Sequence, residues 1–122
     1  MSLPTPDLDE GELSASAALI VFVTVPDAEA GARLGRVLVE ERLAACVNVV
    51  PGLRSIYVWQ GAVTDEAEAL CLIKTRSGLF TALQARLGQL HPYQVPEILG
   101  VEPARGNPSY LRWLAQATAP RP

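Results

Sequence analysis

Side chains able to bind a metal ion or carry out acid–base chemistry are few in this chain of 122 residues. There is one histidine, His91, one lysine, Lys74, and two cysteines, Cys46 and Cys71. The cysteines are too far apart in sequence to form the Cys-x-x-Cys motif of a redox pair or a metal site. Zinc fingers, four-cysteine iron–sulfur sites and disulfide scaffolds need more of these residues, so the composition excludes all three classes.

His91 has notable neighbours in the sequence. Tyr93 follows it after one proline, and Glu97 comes a few residues later, so an imidazole, a phenol and a carboxylate are predicted around one turn. Imidazole is the commonest metal ligand and titrates near neutral pH. At a helix end, however, a histidine can also cap an orphan backbone carbonyl. The residue types alone leave both roles open for His91.

Cys46 and Lys74 are the other candidate binding residues. Cys46 is either a small hydrophobe in an apolar strand or, with Asn48 beside it, part of a polar pocket. Lys74 is either a solvated surface charge or a compact ammonium placed for a ligand. The sequence contains no Ser-His-Asp order, no phosphate-binding glycine loop and no dinucleotide fingerprint. We therefore predict a binding protein and not an enzyme.

The charge pattern argues against two classes of partner. The formal net charge is -3, from 10 basic and 13 acidic residues, and the arginines are scattered from Arg33 to Arg121. Nucleic-acid-binding proteins gather basic residues on one patch. The longest apolar run, residues 17–23, is too short to span a membrane, and acidic residues precede it where a secretory signal would be basic. We expect no nucleic-acid or membrane partner, and a cytoplasmic location with reduced thiols.

Hydrophobic periodicity predicts seven elements in the order β-α-β-β-α-β-α. Residues 1–17 read as a flexible acidic tail and residues 18–118 as one domain. Strands are expected at residues 18–25, 46–60, 68–75 and 95–101, and helices after Asp27, at residues 79–90 and at residues 109–117. This is the α+β, ferredoxin-like split βαβ arrangement with an added C-terminal helix.

The second and third strands are predicted to form an unusually long hairpin. Pro51-Gly52 is expected to bend it, and Asp65-Glu66 is expected in its loop. Tyr57 and Trp59 lie on this arm, and no single small domain covers both faces of so long a hairpin. Like Trp113 in the last helix, these aromatic residues are more often core or interface anchors than ligand-stacking groups.

The sequence resembles the CutA divalent-cation tolerance proteins over roughly residues 18–117. The motifs that carry the resemblance are Ala44-Ala-Cys-Val-Asn48, Pro51-Gly52, Ser55-Ile-Tyr57, Trp59-x-Gly61, Glu68, Lys74-Thr75, His91-Pro-Tyr93, Pro96-Glu97, Gly106 and Tyr110-Leu-x-Trp113. The resemblance implies a cytoplasmic homotrimer, similar in architecture to the PII signalling proteins, whose long hairpins reach onto neighbouring subunits. Tyr57, Trp59 and Trp113 are then candidate interface residues.

The resemblance also implies where ligands bind. The family's clefts lie between subunits, and the matching positions at or near them are Cys46, Lys74, His91, Tyr93 and Glu97. The family is linked to tolerance of copper and other divalent metals. Carried over, this implies a weak site for Cu(II) or another divalent cation on His91 and Glu97, with no cofactor required for folding.

One departure from the family weakens the implied copper site. Some bacterial relatives add a cysteine on the first strand and a second histidine before the His-Pro-Tyr triplet, where this chain has Val23 and Leu90. An alternative hypothesis is a PII-like sensor that binds an anionic metabolite at the subunit boundary through Lys74, His91 and Glu97. A third is a hydrolase or transferase that uses Cys46 or Lys74.

Overall fold

The computed structural model of the chain describes residues 14–121. The elements are β1 (Ala18–Val25), α1 (Ala28–Glu40), β2 (Cys46–Trp59), β3 (Ala62–Arg76), α2 (Phe80–Leu90), β4 (Leu99–Val101) and α3 (Pro108–Ala117). The predicted order and the α+β, ferredoxin-like class are confirmed. Of the tail predicted for residues 1–17, the first thirteen residues lie outside the described part, and Ala15–Ala17 form one short 3-10 helix.

The four strands form one antiparallel sheet in the order β2-β3-β1-β4, and α1 and α2 pack on one face of it. Successive residues of a strand point to opposite faces, so the odd-numbered residues of β1 and β3 share the helix-covered face. Val21, Val23 and Cys71 on that face have no exposed surface. The core that they form with Leu38 and Leu87 of the helices holds the sheet rigid.

Glycines on α1 let the helix approach the sheet closely. A Cβ atom on Gly35 would lie 3.0 Å from Cγ1 of Val47, and one on Gly31 would lie equally close to Cγ1 of Val49. A side chain at either position would therefore push α1 away from β2. The helix begins where predicted, because Asp27 caps it by accepting a hydrogen bond of 2.8 Å from the Ala30 N–H.

The hairpin is longer than its sequence suggested, and the prediction for its loop was wrong. The turn is Gln60-Gly61, with positive φ values of 51° and 81°, which suits a two-residue hairpin connection. Asp65 and Glu66 lie inside β3 and pair with Ile56 and Ser55 of β2. The sequence predicted a loop at this acidic pair because acidic residues are rare in strands. In the structure the turn at Gln60-Gly61 sets the register of the hairpin, and that register places both residues within β3.

The predicted bend at Pro51-Gly52 is confirmed, since the register shifts between Val50 and Leu53 and Gly52 has a φ of 78°. The fourth strand is shorter than predicted, Leu99–Val101 in place of residues 95–101. Pro92 and Pro96 have no N–H to donate to a ladder, so the preceding segment stays a loop.

The face of the sheet opposite α1 and α2, here called the open face, carries a group of apolar side chains that the described chain does not cover completely. This apolar group consists of Ile20, Phe22, Val50, Leu70, Leu72, Leu99 and Val101. Leu99 is 61% exposed, Val101 47% and Val50 42%. Farther out on the hairpin, Val58 and Val63 are also exposed.

Among the described residues, none of the helices is long and apolar enough to cross a membrane.

Candidate functional site

A cleft of about 640 Å³ lies where the hairpin meets the loop that precedes β4. We call it the acidic cleft. Its distinctive lining residues are three aromatic residues and three carboxylates: Tyr57, Trp59, Tyr93, Glu66, Glu68 and Glu97. The other described residues of its lining are uncharged, so no lysine, arginine or histidine among them offsets the three carboxylates.

The β2–β3 hairpin and the loop before β4 together build the acidic cleft. Glu66 and Glu68 are two residues apart in β3, so both point to the same side of the hairpin. Ser55, paired with Glu66 in the neighbouring strand, brings β2 to the same side, and Tyr57 follows it by two residues. The loop of residues 91–98 supplies Tyr93 and Glu97 from the opposite direction. The cleft therefore depends on how this loop is held against the sheet.

His91 holds that loop in place. The side chain is only 7% exposed. Its Nδ1 atom accepts a hydrogen bond of 3.1 Å from the Tyr93 N–H, so the ring proton must be on Nε2, which donates to the Thr24 carbonyl at 2.7 Å. One ring thus joins the loop to β1 through two backbone groups. The Tyr93 ring packs beside it, with centroids 4.7 Å apart.

Tyr93 carries the connection from the loop to β3. Its hydroxyl donates a hydrogen bond of 2.6 Å to Oε2 of Glu68, which is 8% exposed. Burial raises the pKa of the Tyr93 phenol well above its usual value, and the hydrogen bond to the Glu68 carboxylate raises the pKa further. The phenol therefore stays protonated and acts as a neutral donor to a buried carboxylate.

Tyr57 and Glu66 repeat this arrangement nearer the tip of the hairpin. The pKa of the Tyr57 phenol is raised first by its hydrogen bond to Glu66, then by lost hydration and by the charges of Glu66 and Glu68. Each of the two β3 carboxylates is thus paired with a neutral phenol and not with a cation. The negative charge of the acidic cleft remains uncompensated within the described chain.

The raised pKa of Tyr93 predicts that the protein loses stability at alkaline pH. An unfolded tyrosine ionises near pH 10, so the stabilisation from this phenol is fully present below about pH 10 and is lost as pH rises through the higher pKa of the folded state. Above pH 10, we expect this group to lower the unfolding free energy of the wild type by up to about 1.4 kcal/mol per pH unit. The variant Tyr93→Phe has no phenol at this position and should not show this part of the loss. Guanidine unfolding of both proteins at pH 9 and pH 11 measures the difference. Equal losses would contradict it.

Cys46 and Lys74 form a separate cluster on the open face. They are cross-strand partners, Lys74 Nζ donates to Oδ1 of Asn48, and Cys46 Sγ lies 4.0 Å from the same oxygen. Lys74 is six positions after Glu68 in β3, a distance of about 20 Å along the strand. Lys74 and Glu68 lie on the same side of β3, but neither Cys46 nor Lys74 is among the described residues that line the acidic cleft.

Of the two predicted metal ligands, His91 and Glu97, only Glu97 is accessible to a metal ion in this conformation. Glu97 is exposed and lines the acidic cleft, whereas both ring nitrogens of His91 are engaged with backbone groups. A metal ion could bind His91 only after one of these hydrogen bonds opened. Within residues 14–121, no three His, Cys, Asp or Glu side chains are grouped so that they could hold a metal ion. The ligand role of the pair stays a prediction.

The predicted interface aromatics lie in two places. Tyr57 and Trp59 are 38% and 49% exposed on the hairpin, where they also line the acidic cleft. Trp113 packs against Tyr110 with ring centroids 5.5 Å apart, and it lines a groove between α3 and the end of α1. Arg42 ties these two helices together, because its Nη1 donates to the Ala119 carbonyl.

Sequence reasoning missed Glu66 as a site residue and noted Glu68 only as a motif position. The available signal was the period of two along β3, which continues from Glu68 back to Glu66 once the turn is placed at Gln60-Gly61. The prediction of Asp65-Glu66 as a loop hid that alternation. The pairing of Tyr93 with Glu68 joins residues 25 apart in sequence, and no local pattern indicates it.

Comparisons with known proteins point in one direction. A family model described as CutA1 divalent ion tolerance protein matches residues 19–117. The divalent-cation tolerance protein CutA of Thermus thermophilus is 52% identical over 99 residues, which are 81% of this chain and 96% of that protein. The chloroplastic protein CutA 1 of Oryza sativa is 46% identical over 101 residues, which are 83% of this chain but only 57% of that protein.

The fold agrees with solved structures of the same kind. The structure of the Thermus thermophilus divalent cation tolerance protein (Cut A1) superposes with a TM-score of 0.81 at 50% identity. The superposition covers 84% of this chain and 99% of that one. The residues that the family model matches, 19–117, contain the sheet, the long hairpin and the loop that build the acidic cleft.

Proposed function

Because this chain belongs to the CutA1 divalent ion tolerance family, we propose that it acts in divalent-cation tolerance by binding a cation, without catalysis, in the acidic cleft. The observation that carries the proposal is the lining of the cleft, with three carboxylates and no basic side chain among the described residues. A concave site of one sign of charge focuses the electric field and concentrates ions of the opposite sign.

The proposed functional unit is a homotrimer. The open face and the hairpin leave large apolar side chains exposed, among them Leu99, Val58 and Val63 at 61%, 68% and 75%. Contiguous apolar surface of this kind on a soluble chain is typical of an interface, and a long edge strand such as β2 is normally paired or covered. Copies of this chain related by a threefold axis would cover the same surfaces on each subunit. Tyr57, Trp59 and Trp113 are the proposed interface aromatics.

A cytoplasmic location is part of the proposal. Cys46 and Cys71 are free thiols. Cys71 is fully buried, and burial raises the pKa of its thiol, which keeps it in the inert neutral form. Free thiols that persist in the folded chain fit a reducing compartment.

Glu97 is the primary ligand that we propose for a divalent metal such as Cu(II). Its carboxylate is exposed in the acidic cleft, and oxygen donors bind divalent cations without any rearrangement of the loop. His91 joins the metal only if its bond from the Tyr93 N–H opens, and Val23 and Leu90 supply no further donor. Binding in this proposal is therefore weak and is not required for folding.

Calorimetric titration with copper(II) tests the metal site. We expect Glu97→Gln to weaken binding by about tenfold, which corresponds to about 1.4 kcal/mol. Glu102→Gln is the matched control, because it removes the same charge from an exposed residue outside the lining of the acidic cleft. Identical titrations for wild type and both variants would refute the role of Glu97. A monomeric mass in sedimentation at micromolar concentration would refute the trimer.

The anionic metabolite considered as an alternative ligand is less well supported by the geometry. The acidic cleft would repel an anion, and the side chain of Lys74 donates to Asn48 at a position about 20 Å along β3 from Glu68. The lining therefore favours a cation.

A further inference from the structure

The acidic cleft is too large and too aromatic for its only ligand to be a bare metal ion. Its volume of about 640 Å³ falls within the roughly 300–1,000 Å³ that is usual for small-molecule sites. Tyr57, Trp59 and Tyr93 line it, and aromatic faces attract organic cations through the ring quadrupole. The walls thus offer contacts that only a ligand with both charge and hydrocarbon can use.

Glu68 is the residue that most directly favours a cation as the ligand of the cleft. It is 8% exposed and lines the acidic cleft, and its Oε2 accepts from the Tyr93 hydroxyl. Its Oε1 accepts no hydrogen bond from the described residues, in which no fully buried side-chain oxygen lacks a partner. Oε1 is therefore reached from solvent, through the cleft. A carboxylate that has lost most of its hydration gains strongly from a cation placed against it.

A second carboxylate lies at a defined distance from the first. Glu66 is two residues from Glu68 on the same side of β3, which places their backbone positions about 7 Å apart. No salt bridge joins either residue to a lysine or arginine in the described part of the chain, where the ion pairs are Arg54 with Asp65 and Arg86 with Glu41. The two anionic groups are arranged for two cationic groups at a similar separation.

We propose that the acidic cleft binds a short aliphatic diamine in its doubly protonated form, a class typified by 1,4-diaminobutane. One ammonium group donates to Oε1 of Glu68 and the other to Glu66, while the methylene chain packs on Tyr57 and Trp59. Glu97 adds to the negative field. This inference rests on the proposed function, because it names the class of cation that the same cleft selects.

Calorimetric titration of the full-length, assembled protein with 1,4-diaminobutane tests the inference. We expect saturable binding of the diamine, none of 1,4-butanediol, which has the same carbon chain without charge, and weaker binding of butylamine. The affinity should fall as salt is raised from 0.05 to 0.5 M, because ion pairing is screened (Debye length about 10 Å at 0.1 M). Equal heats from the diamine and the diol, or no heat from the diamine, would overturn the inference.

Three variants locate the binding. Glu66→Gln and Glu68→Gln are each expected to weaken diamine binding by about tenfold or more, as is usual when one charge-assisted hydrogen bond is lost. Asp65→Asn is the control, since it removes the same charge from the opposite face of the same strand. If Glu68→Gln lowers the melting temperature, the exposed Glu66 still decides the question. Equal weakening by Asp65→Asn and Glu66→Gln would contradict the site.

The copper titration and the diamine titration test separate claims, and either claim can be refuted without the other. A trimer that binds copper through Glu97 but does not bind the diamine would refute this inference and leave the proposed function intact. A trimer that binds the diamine through Glu66 while copper binding is indifferent to Glu97→Gln would refute the metal site and leave the diamine site intact.

Discussion

Replacing Phe22 with glutamate is expected to convert the proposed trimer into monomers. Phe22 lies in the middle of the open face, paired with Leu72 of β3 on one side and Leu99 of β4 on the other. If three open faces meet in the trimer, this substitution buries three carboxylates without cationic partners, at a cost of several kcal/mol each. Sedimentation velocity at micromolar concentration measures the mass, and circular dichroism measures the fold.

Two further variants make this result interpretable. Leu99→Glu is expected to dissociate the assembly in the same way, and at 61% exposure in the single chain it should leave the subunit folded. Ala32→Glu adds the same charge on the exposed side of α1 and should leave the mass unchanged. An unchanged trimer mass for both Phe22→Glu and Leu99→Glu would show that the open face is not the interface.

Replacing His91 with alanine is expected to lower the unfolding free energy by about 2–4 kcal/mol, even with all metal removed by a chelator. The substitution leaves the Thr24 carbonyl and the Tyr93 N–H without partners, at about 1 kcal/mol or more each, and creates a cavity at a side chain that is 7% exposed. Urea unfolding with a chelator present measures the change. The ring is thus expected to contribute to stability independently of any metal.

Conservative replacements separate the two hydrogen bonds of His91. The side-chain oxygen of asparagine can take the place of Nδ1 and accept from the Tyr93 N–H, so His91→Asn should recover part of the loss. The amide nitrogen of glutamine can take the place of Nε2 and donate to the Thr24 carbonyl, so His91→Gln should recover another part. A loss below about 0.5 kcal/mol for His91→Ala would contradict the structural role, because that is the size of an ordinary surface effect.

This role of His91 matters for function because the residue is close to the acidic cleft without lining it. The loop that it anchors supplies Tyr93 and Glu97, and Tyr93 in turn donates to Glu68. A change at His91 therefore alters the cleft even if no ligand touches the imidazole. Loss of cation binding in a His91 variant does not identify it as a ligand, and for this reason the copper titration relies on Glu97→Gln.

Much of the fold follows from local sequence. The strand formed by the apolar run of β1 and the helix after Asp27 were both predicted correctly. Asn107 caps α3 by accepting a hydrogen bond from the Ser109 N–H. These features depend on residues a few positions apart, whose side-chain periods and backbone preferences act within one element. The same local motifs were sufficient to indicate the family.

The acidic cleft was decided only by tertiary structure. The sequence by itself determined the order of the elements, their caps, the family and the cluster of polar residues from His91 to Glu97. It did not determine that both nitrogens of His91 bind backbone groups, nor that Glu66 and Glu68 face Tyr93. The His91–Thr24 and Tyr93–Glu68 contacts join residues 67 and 25 positions apart. The side on which Glu66 and Glu68 lie depends on a hairpin register set by the Gln60-Gly61 turn and the Pro51-Gly52 bulge. A one-residue change of register would turn both carboxylates to the other face.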